Sequence, residues 1–488
     1  MLFTTPVFVF VFLPLTLLGF FLAGRVSSKA GIAWLLAASL LFYSHWQPRD
    51  TLLLCASILV NFRLGLLIAS SHASRAWMRC GVTLNLLLLA VFKYGDFLTG
   101  NVNQLFGTAL PLPELALPIG ISFFTFTQIA FLVDTYQGKV REAQPLHYGL
   151  FVTYFPHLVA GPVLHHAQMM PQFARADICR FQPAHLCGGL AIFAIGLTKK
   201  VVFADGISPY ADLVFDAADS GALPTLHESW LAMCAYTLQL YFDFSGYSDM
   251  AIGLSWMFNV SLPFNFNSPY RAANISEFWR RWHISLSTFL RDYLYIVLGG
   301  NRHGPARRYL NLALTMILGG LWHGASWTFV AWGTLHGCYL MIHHGFRHLA
   351  GEAVLARLAG WRAWRFGAWL VTLLAVMVAW VLFRATNFSS AATVLQGLVG
   401  AGSAASPDPV YWNAGRSVLS GAAWCAALGL LAVVGPNSNV IGERILAWCR
   451  ERPAGRSYLA GAMLVGVIGL VLVNATRDSV SAFIYFNF

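Results

Sequence analysis

Residues 318–333 read LGGLWHGASWTFVAWG, an apolar run of glycine and aromatic residues that carries one histidine, His323. A run of this composition is expected to lie within a membrane, where an ionisable side chain is costly. Such a side chain faces a cavity, pairs with another polar group or takes part in chemistry. Because imidazole exchanges a proton near neutral pH, we expect His323 to act as a general base; a structural hydrogen bond is the alternative.

The same run predicts the surroundings of His323. Its flanking glycines would let a neighbouring helix or a substrate approach the backbone closely. Trp327, one helical turn later, would wall the same face of the site. His336 would lie roughly 20 Å further along a continuous helix, too far away to share one proton-transfer site.

Composition predicts an all-α polytopic membrane protein. The chain has 488 residues, of which 57% are hydrophobic and 10% charged, and its mean hydropathy is +0.62. Soluble domains carry roughly 25% charged residues. A transmembrane helix needs roughly 20 apolar residues. Apolar cores that approach this length lie near Pro6–Ala23, Thr51–Ser70, Val82–Phe97, Gly188–Phe203, Leu310–Met341, Ala368–Leu382 and Ala460–Val473.

The flanking charges predict the orientation. No basic residue precedes the first apolar run, whereas Arg25 and Lys29 follow it. This favours a retained first helix with its N-terminus outside over a cleaved signal peptide. Counting the spans in order then places further basic loops on the cytoplasmic side, with Arg75, Arg79, Lys139, Arg141, Arg444, Arg450, Arg452 and Arg456. The aromatic tail, residues 483–488, would lie near the outer interface.

Several functional classes are excluded. The net charge of +11 follows from basic loops beside membrane spans and does not indicate nucleic-acid binding. The eight cysteines show no CxxC pair and no regular spacing, so neither a zinc site nor a disulfide framework is predicted. We expect no bound metal and no bound cofactor.

The chain is predicted to form one membrane domain over residues 1–488. It comprises N-terminal helices (1–147), a catalytic core (148–348) and C-terminal helices (349–488), without an internal repeat or a linker. The core holds 12 of the 15 histidines. Residues 151–173 contain FPHLVAGP and are too interrupted for a straight span; a re-entrant segment and a proline-kinked span are the two alternatives.

Two carboxylates, Asp243 and Asp249, lie in the sequence YFDFSGYSDM at residues 241–250. Six residues apart on a helix, they would point about 120° from each other, so they are not a tight acid pair. Either would cap a helix that begins near Gly246 or hold a neighbouring arginine.

Residues 274–283 read NISEFWRRWH. Asn274 and Glu277 have the spacing of a capping box at a helix N-terminus. Glu277 and Arg281 are four residues apart and can pair on one face. With its tryptophans, the segment predicts an amphipathic helix at the membrane surface, after which His283 begins a less charged run.

Arginines concentrate around this segment, at positions 271, 280, 281, 291, 302, 307 and 308. The plain interpretation is positive-inside topology. The sharper one is that some of them bind an anionic acyl donor, coenzyme A or a phosphopantetheine carrier, since guanidinium groups bind phosphate in bidentate fashion. The candidate donor-side residues are Asn274, Trp279, Arg280 and Arg281. No glycine-rich phosphate loop ending in Lys-Ser or Lys-Thr is present, so nucleotide hydrolysis has no support.

Two motifs, RRWHISLS at 280–287 and LWHGASWTF at 321–329, resemble the membrane-bound O-acyltransferase family, in particular its bacterial branch that acetylates exopolysaccharides. The resemblance extends over essentially the whole chain. It includes LPIGISFFTF at 117–126, the FPHLVAGP and YFDFSGYSDM stretches and the terminal FIYFNF.

The resemblance implies a ring of tilted transmembrane helices around a central tunnel, with re-entrant and amphipathic helices. His323 matches the catalytic histidine of the family and His283 the second motif position. The implied activity moves an acetyl group from a cytoplasmic thioester, acetyl-CoA or another acyl thioester, across the bacterial inner membrane. A periplasmic partner similar to an SGNH hydrolase would receive it, within machinery that acetylates an exopolysaccharide such as alginate or cellulose.

Two other functions stay open at this point. Intramembrane Asp243, Asp249 and His323 would also suit a polysaccharide or ion transporter, although the repeated halves common in transporters are missing. A non-catalytic scaffold of an exopolysaccharide complex would use the histidines for structure alone.

Overall fold

The computed structural model describes residues 1–70, 72–140, 144–159, 161–401, 409–452, 454–475 and 483–484. Regular structure within these ranges is helical, and the all-α prediction is confirmed. Arg141 and the tail beyond Ile484 lie outside the described residues. The orientation predicted from the basic loops stays a prediction.

The helices, in chain order, are α1 (Leu13–Val26), α2 (Ser28–Ser44), α3 (Pro48–Ser70), α4 (Ser74–Phe92), α5 (Gly95–Phe106), α6 (Ile121–Tyr136), α7 (Pro145–Thr153), α8 (Phe155–Leu158), α9 (His166–Phe173), α10 (Pro183–Thr198), α11 (Asp205–Asp219), α12 (Leu226–Met257), α13 (Ile275–Arg281), α14 (Ile284–Leu290), α15 (Gly304–His323), α16 (Trp327–Ala359), α17 (Arg362–Arg384), α18 (Phe388–Leu398), α19 (Pro409–Asn413), α20 (Val418–Val434), α21 (Ser438–Arg450) and α22 (Ala454–Ala475). Wider π-helical turns at Phe8–Phe12, Lys199–Ala204 and Arg291–Tyr295 extend α1, α10 and α14.

The chain divides into two compact units. The first consists of Met1–Thr198, Gly246–Phe264 and Ser438–Asn487, and the second contains Lys199–Ser245 and Asn265–Asn437. The two candidate histidines, His283 and His323, and the arginine-rich segment all belong to the second unit. The division into one domain with three regions stays a prediction.

Six helices of the described chain are long and apolar enough to cross a membrane, which makes this a multi-pass membrane protein. They are Phe8–Val26, Pro48–Ser70, Ser74–Phe92, Pro183–Asp219, Arg362–Arg384 and Gly455–Val473. Six of the seven predicted apolar cores coincide with them. The pair Val418–Val434 and Ser438–Arg450, which was not predicted, would add a seventh as one broken span. Arg444 and Arg450, which were placed in a loop, lie within α21.

The predicted apolar core Leu310–Met341 is wrong as a single span, because the chain breaks between α15 and α16. The Ser326 side chain caps α16 by accepting a hydrogen bond from the Thr328 N–H. The two helices then pack against each other at Gly320 and Gly333. A Cβ atom on Gly320 would lie 2.3 Å from the Phe329 carbonyl oxygen, and one on Gly333 would lie 2.3 Å from that of Met316. Only glycine permits this approach.

Two alternatives were open for the segment 151–173, and the structure shows a broken segment and not a continuous kinked helix. Helices α7, α8 and α9 are short, and the chain leaves helical structure between α8 and α9. Residues 151–159 and 161–164 are buried, including Tyr154 and His157. A His157 ring nitrogen, Nε2, lies 2.9 Å from the Phe151 carbonyl oxygen and partly satisfies the interrupted backbone.

Candidate active site

His323 is the last residue of α15 and is 3% exposed. Three aromatic rings surround its imidazole edge to face, with centroid distances of 5.0 Å to Trp322, 5.1 Å to Trp332 and 5.3 Å to Phe383. The C-terminal end of a helix carries partial negative charge. The position therefore favours the imidazolium that a general base becomes when it takes a proton.

His283 is completely buried and adopts a left-handed backbone conformation, with φ 44° and ψ 55°, immediately before α14. A non-glycine residue in this region costs on the order of 1 kcal/mol or more and persists only where its surroundings impose it. Two backbone hydrogen bonds impose it here. Asn267 N–H donates to the Arg281 carbonyl, and Ile284 N–H donates to the Asn265 carbonyl.

Asn265 also fixes the tautomer of His283. Its side-chain oxygen accepts hydrogen bonds from the Ser285 N–H at 3.1 Å and the Ser285 hydroxyl at 2.9 Å, and lies 3.2 Å from His283 Nδ1. Because a backbone N–H can only donate, this atom is an acceptor, and Nδ1 of the neutral ring must carry the proton. Nε2 of His283 is therefore the basic nitrogen.

The two histidine rings lie close together, with centroids 6.4 Å apart. Their side chains come from separate helices, so chain folding and not sequence spacing brings them together. Two imidazoles at this separation, among aromatic rings, can remove a proton from one substrate group and hold another in place.

Two predictions about the residues around His323 are wrong. Trp327 is 53% exposed and begins α16, so it does not wall the site; Trp332 takes that place and is 1% exposed. His336 does not lie about 20 Å away on a continuous helix, because the break after His323 returns the chain along α15. Trp332 contacts both His323 and His336, with ring-centroid distances of 5.1 Å and 4.8 Å.

His336 is completely buried beside Trp279. The indole N–H of Trp279 donates to His336 Nδ1 at 3.3 Å, so the imidazole proton of His336 lies on Nε2. Trp279 thus links this histidine to the helix that carries the arginines.

A cavity of about 540 Å³ opens beside Trp279. Helices α13 to α16 supply its lining, which includes Trp279, Arg280, Arg291 and Arg308. Along α15 the lining residues Arg308, Leu312 and Thr315 follow one helical face, and His323 continues that face. Arg308 and His323 are separated by about 22 Å along the helix axis. A ligand that reached from Arg308 in this cavity to His323 would therefore be long and narrow, with an anionic end at the arginines.

The charge of this cavity is positive. Three arginines line it, no acidic residue does, and only Arg291 has an acidic partner among the described residues, Asp292 at 2.7 Å. His344, beyond the apolar part of α16, shows the effect. Burial and then the nearby charge of Arg308 lower the pKa of His344 to about 4, so this residue is neutral at pH 7.

The four predicted donor-side residues separate into two pairs. Trp279 and Arg280 line the cavity, whereas Asn274 and Arg281 do not. The Asn274 side chain accepts from the Glu277 N–H at 2.8 Å, and Arg281 pairs with Glu277 at 2.8 Å, so the predicted cap and ion pair are confirmed.

The surface role predicted for the tryptophans of this segment is wrong for Trp282. This side chain is 1% exposed and packs in the core of the second unit, with its ring centroid 5.0 Å from that of Trp380.

The two aspartates serve other partners. Helix α12 passes through Gly246 without a break, so neither residue caps a helix there. Asp243 pairs with Lys200 at 2.7 Å. Asp249 accepts a hydrogen bond from the Ser438 hydroxyl at 3.1 Å.

Sequence reasoning missed Asn265 and Trp332. Gly324 followed by Ser326 is a stop signal and a start signal for helices, and it would have indicated the turn that brings Trp332 back to His323. Asn265 carries no comparable local signal, because its partners lie 18 and 20 residues away.

The chain is similar to known proteins over most of its length. Residues 37–391 match the membrane-bound O-acyltransferase family. The chain is 43% identical to the peptidoglycan O-acetyltransferase of Helicobacter pylori over 82% of this chain and 80% of that protein. It is 43% identical to the probable alginate O-acetylase AlgI of Pseudomonas aeruginosa over 80% of this chain and 73% of that protein.

A more distant similarity, at 26% identity, joins 58% of this chain to 72% of the teichoic acid D-alanyltransferase of Bacillus subtilis. The names of the three relatives refer to peptidoglycan, alginate and teichoic acid, and describe two transferases and one O-acetylase. The family match covers both motif histidines and the helices that carry them. The chain is therefore an O-acyltransferase and belongs to the membrane-bound O-acyltransferase family.

Proposed function

We propose that this enzyme transfers an acetyl group from a cytoplasmic acyl thioester, acetyl-CoA, towards a polysaccharide outside the cytoplasm, with His323 as the general base. The observation that carries the proposal is the pair of buried histidines, with ring centroids 6.4 Å apart, beside a cavity lined by three arginines.

The cavity supports a donor that is anionic at one end. Arg280, Arg291 and Arg308 would bind the phosphates of coenzyme A, since guanidinium groups form bidentate hydrogen bonds with phosphate oxygens. The thioester at the far end of its long arm would then extend along the face of α15 towards His323. Trp279, which lies in the lining, would contact the arm between the two ends.

His323 would remove the proton of the acceptor hydroxyl as the hydroxyl oxygen attacks the thioester carbonyl carbon. The new carbon–oxygen bond forms, the carbon–sulfur bond breaks, and the leaving thiolate takes the proton from the imidazolium. General-base catalysis of this kind contributes on the order of 10²- to 10⁴-fold.

His283 would act as the second catalytic residue. Because Asn265 would hold the proton on Nδ1, the Nε2 atom of His283 could accept a hydrogen bond from a substrate but could not donate one. We therefore assign it to orienting a substrate N–H or O–H group and to assisting proton movement.

The relatives that are named for alginate and for peptidoglycan support a polysaccharide acceptor for this chain. We propose that the enzyme lies in the bacterial inner membrane with its N-terminus on the periplasmic side. A periplasmic partner similar to an SGNH hydrolase would receive the acetyl group and pass it to an exopolysaccharide such as alginate or cellulose.

The test is a transfer assay with purified full-length protein in lipid nanodiscs and acetyl-CoA labelled in its acetyl group. Labelled O-acetyl ester on alginate, cellulose or peptidoglycan fragments is measured together with released coenzyme A. We expect transfer by the natural protein and by the His348→Ala control, and its loss in His323→Ala. Transfer that persists in His323→Ala would show that this residue is not the base. Absence of any transfer, also when periplasmic extract is added, would favour a scaffold.

A further inference from the structure

A second cavity lies in the same unit, apart from the one beside the histidines, and has a volume of about 420 Å³. Three arginines line it, together with Phe366 and Trp369. Arg271 comes from the turn before α13, and Arg362 and Arg365 come from the first turn of α17. The proposed acyl transfer uses none of these residues.

The walls of this cavity are fixed to each other. The Trp369 indole N–H donates to the Tyr270 carbonyl at 2.8 Å, which holds α17 against the turn that carries Arg271. Arg271 also donates to the Gly435 carbonyl. The three guanidinium groups therefore converge on a preformed cavity and are not a chance cluster on one flexible loop.

The positive charge of this cavity is not neutralised within the described chain. No acidic residue lines it, and none of its three arginines has an acidic partner among the described residues. Two of them stand at the N-terminus of α17, which has neither an acidic residue in its first turn nor a side-chain cap. The N-terminus of a helix carries partial positive charge, which adds to the charge of the arginines. An anion in the cavity would therefore be attracted by the arginines and by the helix end together.

The cavity also lies at the end of a membrane span, because α17 is one of the six apolar helices and begins at Arg362. Trp361 and Phe366 are exposed beside it, as aromatic residues at the membrane interface commonly are. Phe366, Leu370 and Val371 continue from the cavity as an exposed apolar surface along α17. A ligand with an anionic head and apolar tails matches this sequence of surfaces.

We propose that the cavity bounded by Arg271, Arg362 and Arg365 binds the phosphate headgroup of an anionic phospholipid, whose acyl chains lie along α17. Guanidinium groups recognise the phosphate, and the basic cavity at the end of a transmembrane helix selects lipids with net negative charge.

The test is native mass spectrometry of the purified full-length protein with phosphatidylglycerol and phosphatidylcholine at equal concentration. We expect phosphatidylglycerol to be retained in preference. Arg362→Gln and Arg365→Gln should each lower the ratio of the two bound lipids about fivefold, as expected for one basic residue at a membrane surface. Arg357→Gln removes the same charge from an exposed position of α16 outside the cavity and should leave the ratio unchanged.

Two further arms make the outcome decisive. Arg365→Lys keeps the charge but loses the bidentate geometry, so an intermediate ratio is expected; this variant also serves if the glutamine variants fold poorly. Inorganic phosphate and acetyl-CoA are added separately. Bound phosphatidylglycerol that persists supports a lipid site, whereas its displacement by either compound would identify a site for soluble phosphates. A ratio that is unchanged in Arg362→Gln and Arg365→Gln, or lowered equally in Arg357→Gln, overturns the proposal.

Discussion

The second unit buries polar side chains in two contrasting ways. Around Lys200, charges are paired: its ammonium lies 2.7 Å from Asp243 and 2.8 Å from Asp205. Around His323, the buried polar groups are imidazoles among aromatic rings: the ring centroid of His323 lies 6.4 Å from that of His283 and 5.1 Å from that of Trp332. The first region holds charges in close ion pairs. The second holds groups that become charged only when a proton moves.

The ion pairs around Lys200 should matter mainly for stability, and the imidazoles around His323 mainly for the reaction. Removing one member of a buried ion pair leaves an uncompensated charge and weakens the fold. Removing an imidazole from an aromatic pocket leaves a cavity and no unpaired charge, so it affects mainly a reaction that needs the proton. Substitutions in the two regions should therefore change different measurements.

The largest effect on turnover is expected for His323→Ala. The rate constant for acetyl transfer should fall by on the order of 10²- to 10⁴-fold, because the general base is lost. Membrane yield and melting temperature should stay near those of His348→Ala, which removes an exposed histidine. A melting temperature of His323→Ala far below that of His348→Ala would contradict this expectation, since His323 would then be a structural residue.

The largest effect on stability is expected for Lys200→Met. Leaving Asp243 buried without its partner costs about 3–5 kcal/mol, which should appear as a lower melting temperature in detergent and a lower membrane yield. Lys139→Met is the matched control, because Lys139 also faces an aspartate but its side chain is 62% exposed. Exposed pairs contribute about 0–1 kcal/mol. Combining Lys200→Met with Asp243→Asn should restore part of the loss.

A smaller effect, on donor binding alone, is expected for Arg308→Gln. Loss of a charge-assisted hydrogen bond to phosphate should raise the KM for acetyl-CoA about tenfold, with kcat little changed. Arg307→Gln, at the exposed neighbouring position, should leave KM within about twofold. KM is measured in the transfer assay at low salt. Equal KM values for the two variants would show that the cavity does not bind the donor.

The same contrast explains how much the sequence could predict. Apolar length predicted six of the membrane spans, and the local spacing of Asn274, Glu277 and Arg281 predicted a cap and an ion pair that the structure contains. These features depend on neighbours within about one helical turn.

Contacts between distant parts of the chain could not be predicted in the same way. The pairing of Asp243 with Lys200 joins residues 43 positions apart, and Asn265 reaches His283 across 18. The turn between α15 and α16 is intermediate between the local features and the long-range contacts. Its signal, Gly324 followed by Ser326, is local, but the continuous apolar pattern around it concealed the break.

The smallest effect is expected for Trp327→Phe, and it tests that turn directly. A continuous helix would place Trp327 against the catalytic histidine, and its replacement would then lower kcat. In the structure Trp327 is 53% exposed at the start of α16, so kcat should stay within about twofold, as is usual for surface substitutions.

Trp332→Phe is the matched change among the aromatic residues that surround His323. It removes part of a ring whose centroid lies 5.1 Å from that of His323, and it should lower kcat at least several-fold because the imidazole loses its packing. If the two variants showed the opposite order of kcat, the antiparallel arrangement of α15 and α16 could not be the one that places His323 for catalysis.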